Sequence, residues 1–142
     1  MVRQIAVLGA TGSIGASTLD VIQRHPDRYR PVVLAANRSV DDMERLCRLH
    51  VPDHAVMGDP EAASALAEKL KDLNSTEVSS GAAVLDQLVS ASFIDTVVAG
   101  IVGFAGLRAT LSAAGAGKTI ILANKEALVL SLIHISEPTR PY

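Results

Sequence analysis

A chain of 142 residues is the length of one domain and is long enough to bury a hydrophobic core. Its formal net charge of -2 gives no electrostatic reason to expect nucleic acid or an anionic membrane as a partner. The single cysteine excludes an intrachain disulfide, and we find neither a signal-peptide pattern nor an apolar run of the roughly 20 residues that span a membrane. We therefore expect a cytoplasmic protein.

Apolar runs alternate with segments of helical periodicity along the whole chain. We expect strands over residues 5–8, 30–36, 55–57, 77–78, 96–99 and 119–123. We expect helices over residues 13–24, 40–49, 60–73, 82–89 and 104–114, the third of them with Asp59 as its N-cap. This alternation indicates βαβ units, and it predicts the α/β class: a Rossmann-like, doubly wound, mainly parallel sheet with helices on both faces.

A glycine turn follows the first predicted strand: residues 9–15 carry three glycines spaced three apart, directly before the first helix. The spacing is a variant of the dinucleotide fingerprint G-x-G-x-x-G. Glycine lets the backbone approach a phosphate, so the N–H groups of Thr11, Gly12, Ser13 and Ile14 would bind a pyrophosphate at the helix N-terminus. The alternative is a tight strand-to-helix turn that Thr11 or Ser13 caps.

The segment Asn37, Arg38 and Ser39 follows the second predicted strand. NAD enzymes usually place an acid there to bind the ribose 2′-hydroxyl, whereas an arginine neutralises the 2′-phosphate of NADP. Here the first acid is Asp41. Together with the glycine turn, Arg38 therefore favours NADP over NAD. The alternative is a solvated loop arginine.

Two later segments also follow strands. Residues 100–106 repeat the glycine spacing, which lets the backbone pass close to a cofactor or lets a helix pack closely on a strand. Asn124, Lys125 and Glu126 follow the last predicted strand, at the sheet edge where ligands bind. The amide of Asn124 could bind a ribose or nicotinamide edge, and Lys125 an anionic or carbonyl substrate. Alternatively, Asn124 caps a helix that has Glu126 in its first turn.

Cysteine and histidine give no sign of a metal site. Cys47 falls on the apolar face of a predicted helix, so we expect a small core residue rather than a reactive thiol. His25, His50 and His54 lack the paired spacing of metal ligands. We expect no metal site within this chain.

Taken together, these segments resemble the N-terminal NADPH-binding domain of the 1-deoxy-D-xylulose 5-phosphate reductoisomerase family. The resemblance covers about residues 3–129, and Leu-Ala-Asn-Lys-Glu-Ala-Leu-Val at residues 122–129 is its most specific part. The other matching blocks are residues 9–15, 17–21, 35–38, 101–107 and 116–119.

The resemblance implies an oxidoreductase of the non-mevalonate pathway of isoprenoid biosynthesis. Such an enzyme rearranges the ketose phosphate and reduces the resulting aldehyde with NADPH, giving 2-C-methyl-D-erythritol 4-phosphate. By the resemblance, Thr11, Gly12, Ser13 and Ile14 contact the pyrophosphate side of NADPH. Its 2′-phosphate is contacted by Asn37, Arg38 and Ser39. Asn124 and Glu126 lie near the nicotinamide half, and Lys125 contacts the substrate. Arg38 stands where some members have lysine, which keeps the positive charge.

The resemblance also implies features outside the matched residues. Residues 1–130 would form the NADPH-binding domain, while the divalent metal (Mg or Mn) and the substrate phosphate site would belong to later domains of a homodimer. Residues 131–142, with two prolines in four residues, depart from the family pattern and look like a translated sequencing adapter. A frameshifted or divergent natural end is the alternative. By itself such a fragment is expected to be inactive.

Two other classes also use a Gly-Ala-Thr-Gly turn or bind nucleotides. One is another NADP-dependent dehydrogenase. A short-chain dehydrogenase would need a Tyr-x-x-x-Lys pair, but Val33 stands four residues after Tyr29. A semialdehyde dehydrogenase would need a nucleophilic cysteine in a cleft, whereas Cys47 falls on the apolar face of a predicted helix. The other is a non-catalytic nucleotide-sensing module, which would bind NADPH without any effect of adding the missing domains.

Overall fold

The computed structural model describes residues 2–100 and 104–122, and in this part of the chain strands and helices alternate from the first element to the last. The strands are β1 (Arg3–Leu8), β2 (Tyr29–Ala36), β3 (His54–Met57), β4 (Glu77–Ser80), β5 (Thr96–Ala99) and β6 (Thr119–Leu122). The helices are α1 (Ser13–Arg24), α2 (Val40–His50), α3 (Pro60–Lys69), α4 (Ala82–Ser90) and α5 (Phe104–Gly115).

All described strands form one parallel sheet in the order β4-β3-β2-β1-β5-β6. The chain first builds outward from β1 through β2, β3 and β4, and it then returns to the other side of β1 with β5 and β6. The order therefore reverses at β1, and open α/β sheets bind ligands outside the carboxyl ends of their strands at such a switch point. The predicted Rossmann-like, doubly wound sheet is confirmed.

The two faces of the sheet are covered by different helices. Ile5 and Val7 of β1 belong to the core beneath α1, α2 and α3, whereas Ala6 and Leu8 belong to the core beneath α4 and α5. Successive side chains of a strand point to opposite faces, so a strand covered on both faces is apolar throughout. This double burial explains the continuous apolar runs of the sequence.

A bulge interrupts the pairing of β1 with β2. The partner of Ile5 is Pro31, but the partner of Ala6 is Val33, so one residue of β2 is passed over. Proline has no N–H to donate to a neighbouring strand, and in sheets it is found at bulges and edges. The proline is accommodated here without ending a central strand.

Helix α3 ends at Lys69, whereas the sequence predicts an end at Leu73. The guanidinium of Arg48, on α2, donates to the carbonyl oxygen of Lys69 at 2.9 Å and to both carboxylate oxygens of Asp72 at 2.9 and 3.0 Å. The N–H of Leu73 then donates to the carbonyl of Leu70 at 2.8 Å, in a turn that still packs Leu73 on the core. A contact from another helix therefore sets this helix end.

The other predicted bounds agree with the structure within two residues, as far as the residues are described. The predicted cap of α3 is confirmed, because the N–H of Ala62 donates to Oδ2 of Asp59 at 3.1 Å. Ala123, the predicted last residue of the sixth strand, lies outside the described residues.

Candidate functional site

The turn after β1 is fixed against the end of β2. Gly9 has a φ of 84°, a left-handed conformation that glycine adopts without steric cost. The N–H groups of Gly9 and Ala10 both donate to the carbonyl of Ala35 at 2.9 Å, and the N–H of Gly12 donates to the carbonyl of Gly9 at 3.1 Å. The glycine turn and the segment that begins at Asn37 are therefore held side by side.

Helix α1 begins without a side-chain cap. Its N-cap is Gly12, no side chain that the structure describes accepts a hydrogen bond from the first turn, and that turn contains no acid. The alternative in which Thr11 or Ser13 caps this helix is therefore wrong. Because the N-terminus of a helix carries a partial positive charge, this end is suited to an anion.

The backbone N–H groups of the first turn of α1 are open donors. The first hydrogen bond of the helix runs from the N–H of Ala16 to the carbonyl of Gly12, at 2.9 Å. The N–H groups of Ser13, Ile14 and Gly15 have no backbone acceptor in the described part of the chain. The first turn of α1 therefore has N–H groups that an external acceptor could bind.

The neighbouring helices on this face of the sheet begin differently. The first turn of α2 contains Asp41 and Asp42, and α3 has Glu61 in its first turn together with the cap by Asp59. These carboxylates complement the helix dipole. Among α1, α2 and α3, α1 is therefore the helix that has no acid in its own N-cap or first turn.

The two glycines of α1 have different surroundings. A Cβ on Gly15 would lie 2.5 Å from the carbonyl oxygen of Ala10, so there is no room for a side chain. A Cβ on Gly12 would have the carbonyl oxygen of Gly9 at 3.5 Å as its nearest neighbour, an ordinary contact. Gly15 is required by the packing of the protein itself, whereas Gly12 leaves exposed space over the turn for a ligand.

Gly100, directly after β5, packs against the end of β1 and the first turn of α1. Its N–H donates to the carbonyl of Leu8 at 2.8 Å, and an added Cβ would lie 3.2 Å from the Cβ of Ile14 on α1. For this residue, the alternative of close packing between a helix and a strand fits the structure. Residues 101–103 lie outside the described residues, so the predicted approach of residues 100–106 to a cofactor stays a prediction.

Asn37, Arg38 and Ser39 form an exposed loop between β2 and α2. Ser39 occupies the N-cap position of α2, but its hydroxyl makes no capping hydrogen bond. Arg38 forms no ion pair with any residue that the structure describes. The loop thus presents polar side chains and an unpaired guanidinium.

The acids that follow this loop have other cationic partners. The Oδ1 atom of Asp41 lies 3.6 Å from Nζ of Lys69, and Oδ1 of Asp42 lies 3.8 Å from Nη2 of Arg45. Among the acids that the structure describes, none therefore pairs with Arg38. An arginine of this kind is suited to a phosphate, which it can bind through two parallel hydrogen bonds.

The turn after β3 packs against the same loop. The N–H of Gly58 donates to the carbonyl of Ala36 at 2.8 Å, and the N–H of Asp59 donates to the carbonyl of Asn37 at 3.1 Å. A Cβ on Gly58 would lie only 2.6 Å from Oδ1 of Asn37. Sequence reasoning missed Gly58, although a glycine directly after a predicted strand was the available signal.

Several predicted site residues cannot be compared with the structure. Asn124, Lys125 and Glu126 lie outside the described residues, and so does the segment 131–142. Their roles near the nicotinamide, at the substrate and as a separate tail stay predictions.

Cys47 is fully buried between α2 and the sheet. Burial raises the pKa of its thiol from 9.0 to about 11, because the thiolate loses its hydration in the core. The prediction of a core residue rather than a reactive thiol is confirmed.

Within residues 2–100 and 104–122, no three His, Cys, Asp or Glu side chains are grouped so that they could hold a metal ion. Over the same residues, no helix combines the length and the apolar character that a membrane crossing requires.

The fold and the glycine turn define a Rossmann-like domain, and comparison with known proteins gives its family. A family model described as 1-deoxy-D-xylulose 5-phosphate reductoisomerase matches residues 5–131. The chain belongs to this family, which confirms the resemblance found in the sequence.

Named relatives show the same relationship. The 1-deoxy-D-xylulose 5-phosphate reductoisomerases of Xanthomonas euvesicatoria pv. vesicatoria (strain 85-10) and Methylococcus capsulatus (strain ATCC 33009 / NCIMB 11132 / Bath) are 55% and 53% identical over 130 and 131 residues. Each alignment covers 91% of this chain and 33% of the relative. The chain therefore spans about a third of the length of these relatives.

Solved structures agree with the fold. DOX-P reductoisomerase in complex with magnesium has a TM-score of 0.82 at 42% identity, over 97% of this chain and 35% of that one. The Zymomonas mobilis 1-deoxy-D-xylulose 5-phosphate reductoisomerase in complex with NADPH has a TM-score of 0.80 at 40% identity, over 96% of this chain and 37% of that one. A DOX-P reductoisomerase in complex with NADPH, fosmidomycin and magnesium has a TM-score of 0.81 at 42% identity, over 96% and 34%.

Proposed function

We propose that this chain is the NADPH-binding part of a 1-deoxy-D-xylulose 5-phosphate reductoisomerase. The observation that carries the proposal is the uncapped N-terminus of α1 together with the guanidinium of Arg38, which pairs with no acid that the structure describes. The first is suited to a pyrophosphate and the second to a 2′-phosphate, and NADPH carries both groups. Two related structures are described as complexes with NADPH, which supports the same ligand here.

The pyrophosphate lies over the glycine turn in this proposal. The N–H groups of Thr11, Ser13 and Ile14 donate to its oxygens, in a direction that the helix dipole favours. The N–H of Gly12 already donates to the carbonyl of Gly9 at 3.1 Å, so Gly12 contributes to the site by its lack of a side chain. The room above Gly12, where a Cβ would meet no atom of the described residues closer than 3.5 Å, lets the phosphates approach the backbone.

Arg38 recognises the 2′-phosphate, with Asn37 and Ser39 on either side of it. The loop has no acid that could accept a hydrogen bond from a 2′-hydroxyl, because Asp41 and Asp42 lie on α2 and face other cations. We therefore infer that the site prefers NADPH to NADH.

The other predicted site residues are assigned from family membership. Asn124 and Glu126 lie near the nicotinamide half of NADPH, and Lys125 contacts the ketose-phosphate substrate. Residues 1–130 constitute the NADPH-binding domain, and residues 131–142 contribute nothing to the cofactor site. A chain ended after residue 130 should therefore bind NADPH as tightly as the full 142 residues.

The full-length protein converts 1-deoxy-D-xylulose 5-phosphate to 2-C-methyl-D-erythritol 4-phosphate in this proposal. NADPH, when bound, supplies the hydride for the reduction, and the residues of this chain hold its phosphates and thereby place its reactive end. The divalent metal, Mg or Mn, belongs to residues of the full-length protein beyond residue 130. We expect that protein to be a cytoplasmic homodimer, and we expect the present chain alone to show no turnover.

Calorimetric titration of the 142-residue chain with NADPH and with NADH tests this function. The expected result is a preference for NADPH of about tenfold or more, the value of a charge-assisted hydrogen bond, and its loss in Arg38→Glu. Arg24→Glu is the matched control, since it makes the same change of charge at the other end of α1, where Arg24 pairs with Asp20. Equal affinity of the unmodified chain for the two cofactors would contradict the proposal.

A further inference from the structure

We propose that Gly58 is a positioning residue for Asn37, and that it thereby contributes to the selection of NADPH over NADH. The inference rests on the proposed function of residues 37–39. Gly58 itself belongs to a different strand-to-helix turn, between β3 and α3.

Gly58 and Asn37 face each other because the two strands end in register. Ala36, the last residue of β2, pairs with Met57, the last residue of β3. The next residues continue this contact. The N–H of Gly58 donates to the carbonyl of Ala36 at 2.8 Å, and the N–H of Asp59 donates to the carbonyl of Asn37 at 3.1 Å. The backbones of the two turns are thus fixed relative to each other.

The glycine is required by the side chain of Asn37 and not by its own backbone. Gly58 is exposed, and its φ lies outside the left-handed region, so any residue could adopt its conformation. The three atoms nearest to an added Cβ all belong to Asn37: Oδ1 at 2.6 Å, Cγ at 3.5 Å and Cα at 3.6 Å. A side chain at residue 58 would therefore displace the amide of Asn37 before it disturbed anything else.

The amide of Asn37 depends on this packing for its position. It makes no hydrogen bond with the residues that the structure describes, and the nearby carboxylate of Asp59 is engaged by the N–H of Ala62 at 3.1 Å. Its N–H donors are consequently free for a phosphate oxygen, while the surface of Gly58 limits where the side chain can lie. A glycine at this position keeps those donors beside Arg38.

The test is calorimetric titration of Gly58→Ala with NADPH and NADH, using the full 142-residue chain. We expect NADPH affinity to fall about tenfold, as for the loss of one hydrogen bond to a charged group, while NADH affinity stays unchanged. Gly115→Ala is the matched control, because no atom of the residues that the structure describes would lie within 4 Å of a Cβ there. It should change neither affinity. Thermal unfolding of each variant checks that the fold is retained.

A double-mutant cycle identifies the route of the effect. If Gly58 acts through Asn37, then Gly58→Ala should cause no further loss of NADPH affinity in an Asn37→Ala background. The inference is overturned if Gly58→Ala lowers NADPH affinity equally in both backgrounds, lowers the affinity for both cofactors equally, or lowers neither. These results would leave the preference of the unmodified chain for NADPH intact. If the unmodified chain shows no preference for NADPH, the proposed function fails, and this inference fails with it.

Discussion

Gly15 of α1 packs directly on the carbonyl of Ala10: a Cβ on residue 15 would lie only 2.5 Å from that oxygen. This close approach sets the first turn of the helix on the glycine turn that follows β1. It also directs the open N–H groups of Ser13 and Ile14 at the space above the turn. The packing of the protein and the geometry of the anion site therefore depend on the same contact.

Gly15→Ala should destabilise the protein. Replacing a glycine by alanine inside an unhindered helix increases stability by up to about 1 kcal/mol. Here the methyl group meets two backbone carbonyls, so we expect the free energy of unfolding to fall by about 1–3 kcal/mol, as for other overpacked sites. Urea unfolding monitored by circular dichroism measures the change. A variant as stable as the unmodified chain would show that α1 does not pack in this way.

Gly12→Ala should weaken cofactor binding and change the stability of the fold little. Gly12 has extended backbone, which alanine adopts freely, and its Cβ would make only an ordinary contact, so stability should change by no more than about 1 kcal/mol. The methyl group would instead occupy the space that we assign to the pyrophosphate, which NADPH and NADH share. Affinity for both should fall about tenfold or more in calorimetry. A loss confined to NADPH would contradict this placement, because that is the pattern expected of Arg38→Glu.

The sequence predicted the order and type of the described elements because the apolar runs of the strands and the helical periodicity of the helices are both strong. The doubly buried strands give continuous apolar runs, and the glycine turn and Asp59 mark two helix starts. The end of α3 was predicted wrongly, because the apolar spacing of Leu70 and Leu73 continues while the helix does not. The hydrogen bond from Arg48 to the carbonyl of Lys69 joins residues 21 positions apart, so no local pattern could reveal it.

The candidate site was predictable to the extent that it is local. A strand, three glycines and a helix are adjacent in the sequence, and Arg38 directly follows a strand. The contact between Gly58 and Asn37 depends on β3 lying beside β2 in register, which only the assembled sheet shows. The absence of an acidic partner for Arg38 among the described residues is likewise a property of the folded surface.

Asp53 should make stability depend on pH in the acid range. Its hydrogen bonds to Arg30, at 2.7 and 3.2 Å, hold the pKa of its carboxyl below the usual 3.8. A lowered pKa in the folded state stabilises the protein above the usual value, and this stabilisation is lost as the pH falls through the lowered one. Because both side chains are about half exposed, Asp53→Asn should cost only about 0.5–1 kcal/mol at pH 7, and less below pH 3.8.

Urea unfolding of Asp53→Asn at pH 7 and at pH 3 measures that difference. Arg30→Gln removes the same pair from the other side, and the double variant should lose little more stability than either single variant. Additive losses, or a difference from the unmodified chain that does not shrink at pH 3, would show that the pair does not stabilise the fold.

Cys47 should be nearly inert in the folded protein. With its pKa raised to about 11 instead of 9.0, the thiolate fraction at pH 8 is about 100-fold lower than for an unperturbed thiol, and burial also blocks access. Reaction with a disulfide reagent should therefore be slow in buffer and fast in concentrated urea. A fast reaction with the fold intact would place Cys47 outside the core.

Titration of the isotope-labelled 142-residue chain with NADPH, followed by amide NMR spectra, tests the central claim most directly. We expect saturable shifts at the amides of residues 11–14 and 37–39, and we expect NADH to shift the first group much more than the second. Arg38→Glu should leave the shifts of residues 11–14 in place at saturating cofactor. Shifts confined to other parts of the chain, or none at any NADPH concentration, would contradict the assignment of the glycine turn and Arg38 as the NADPH site.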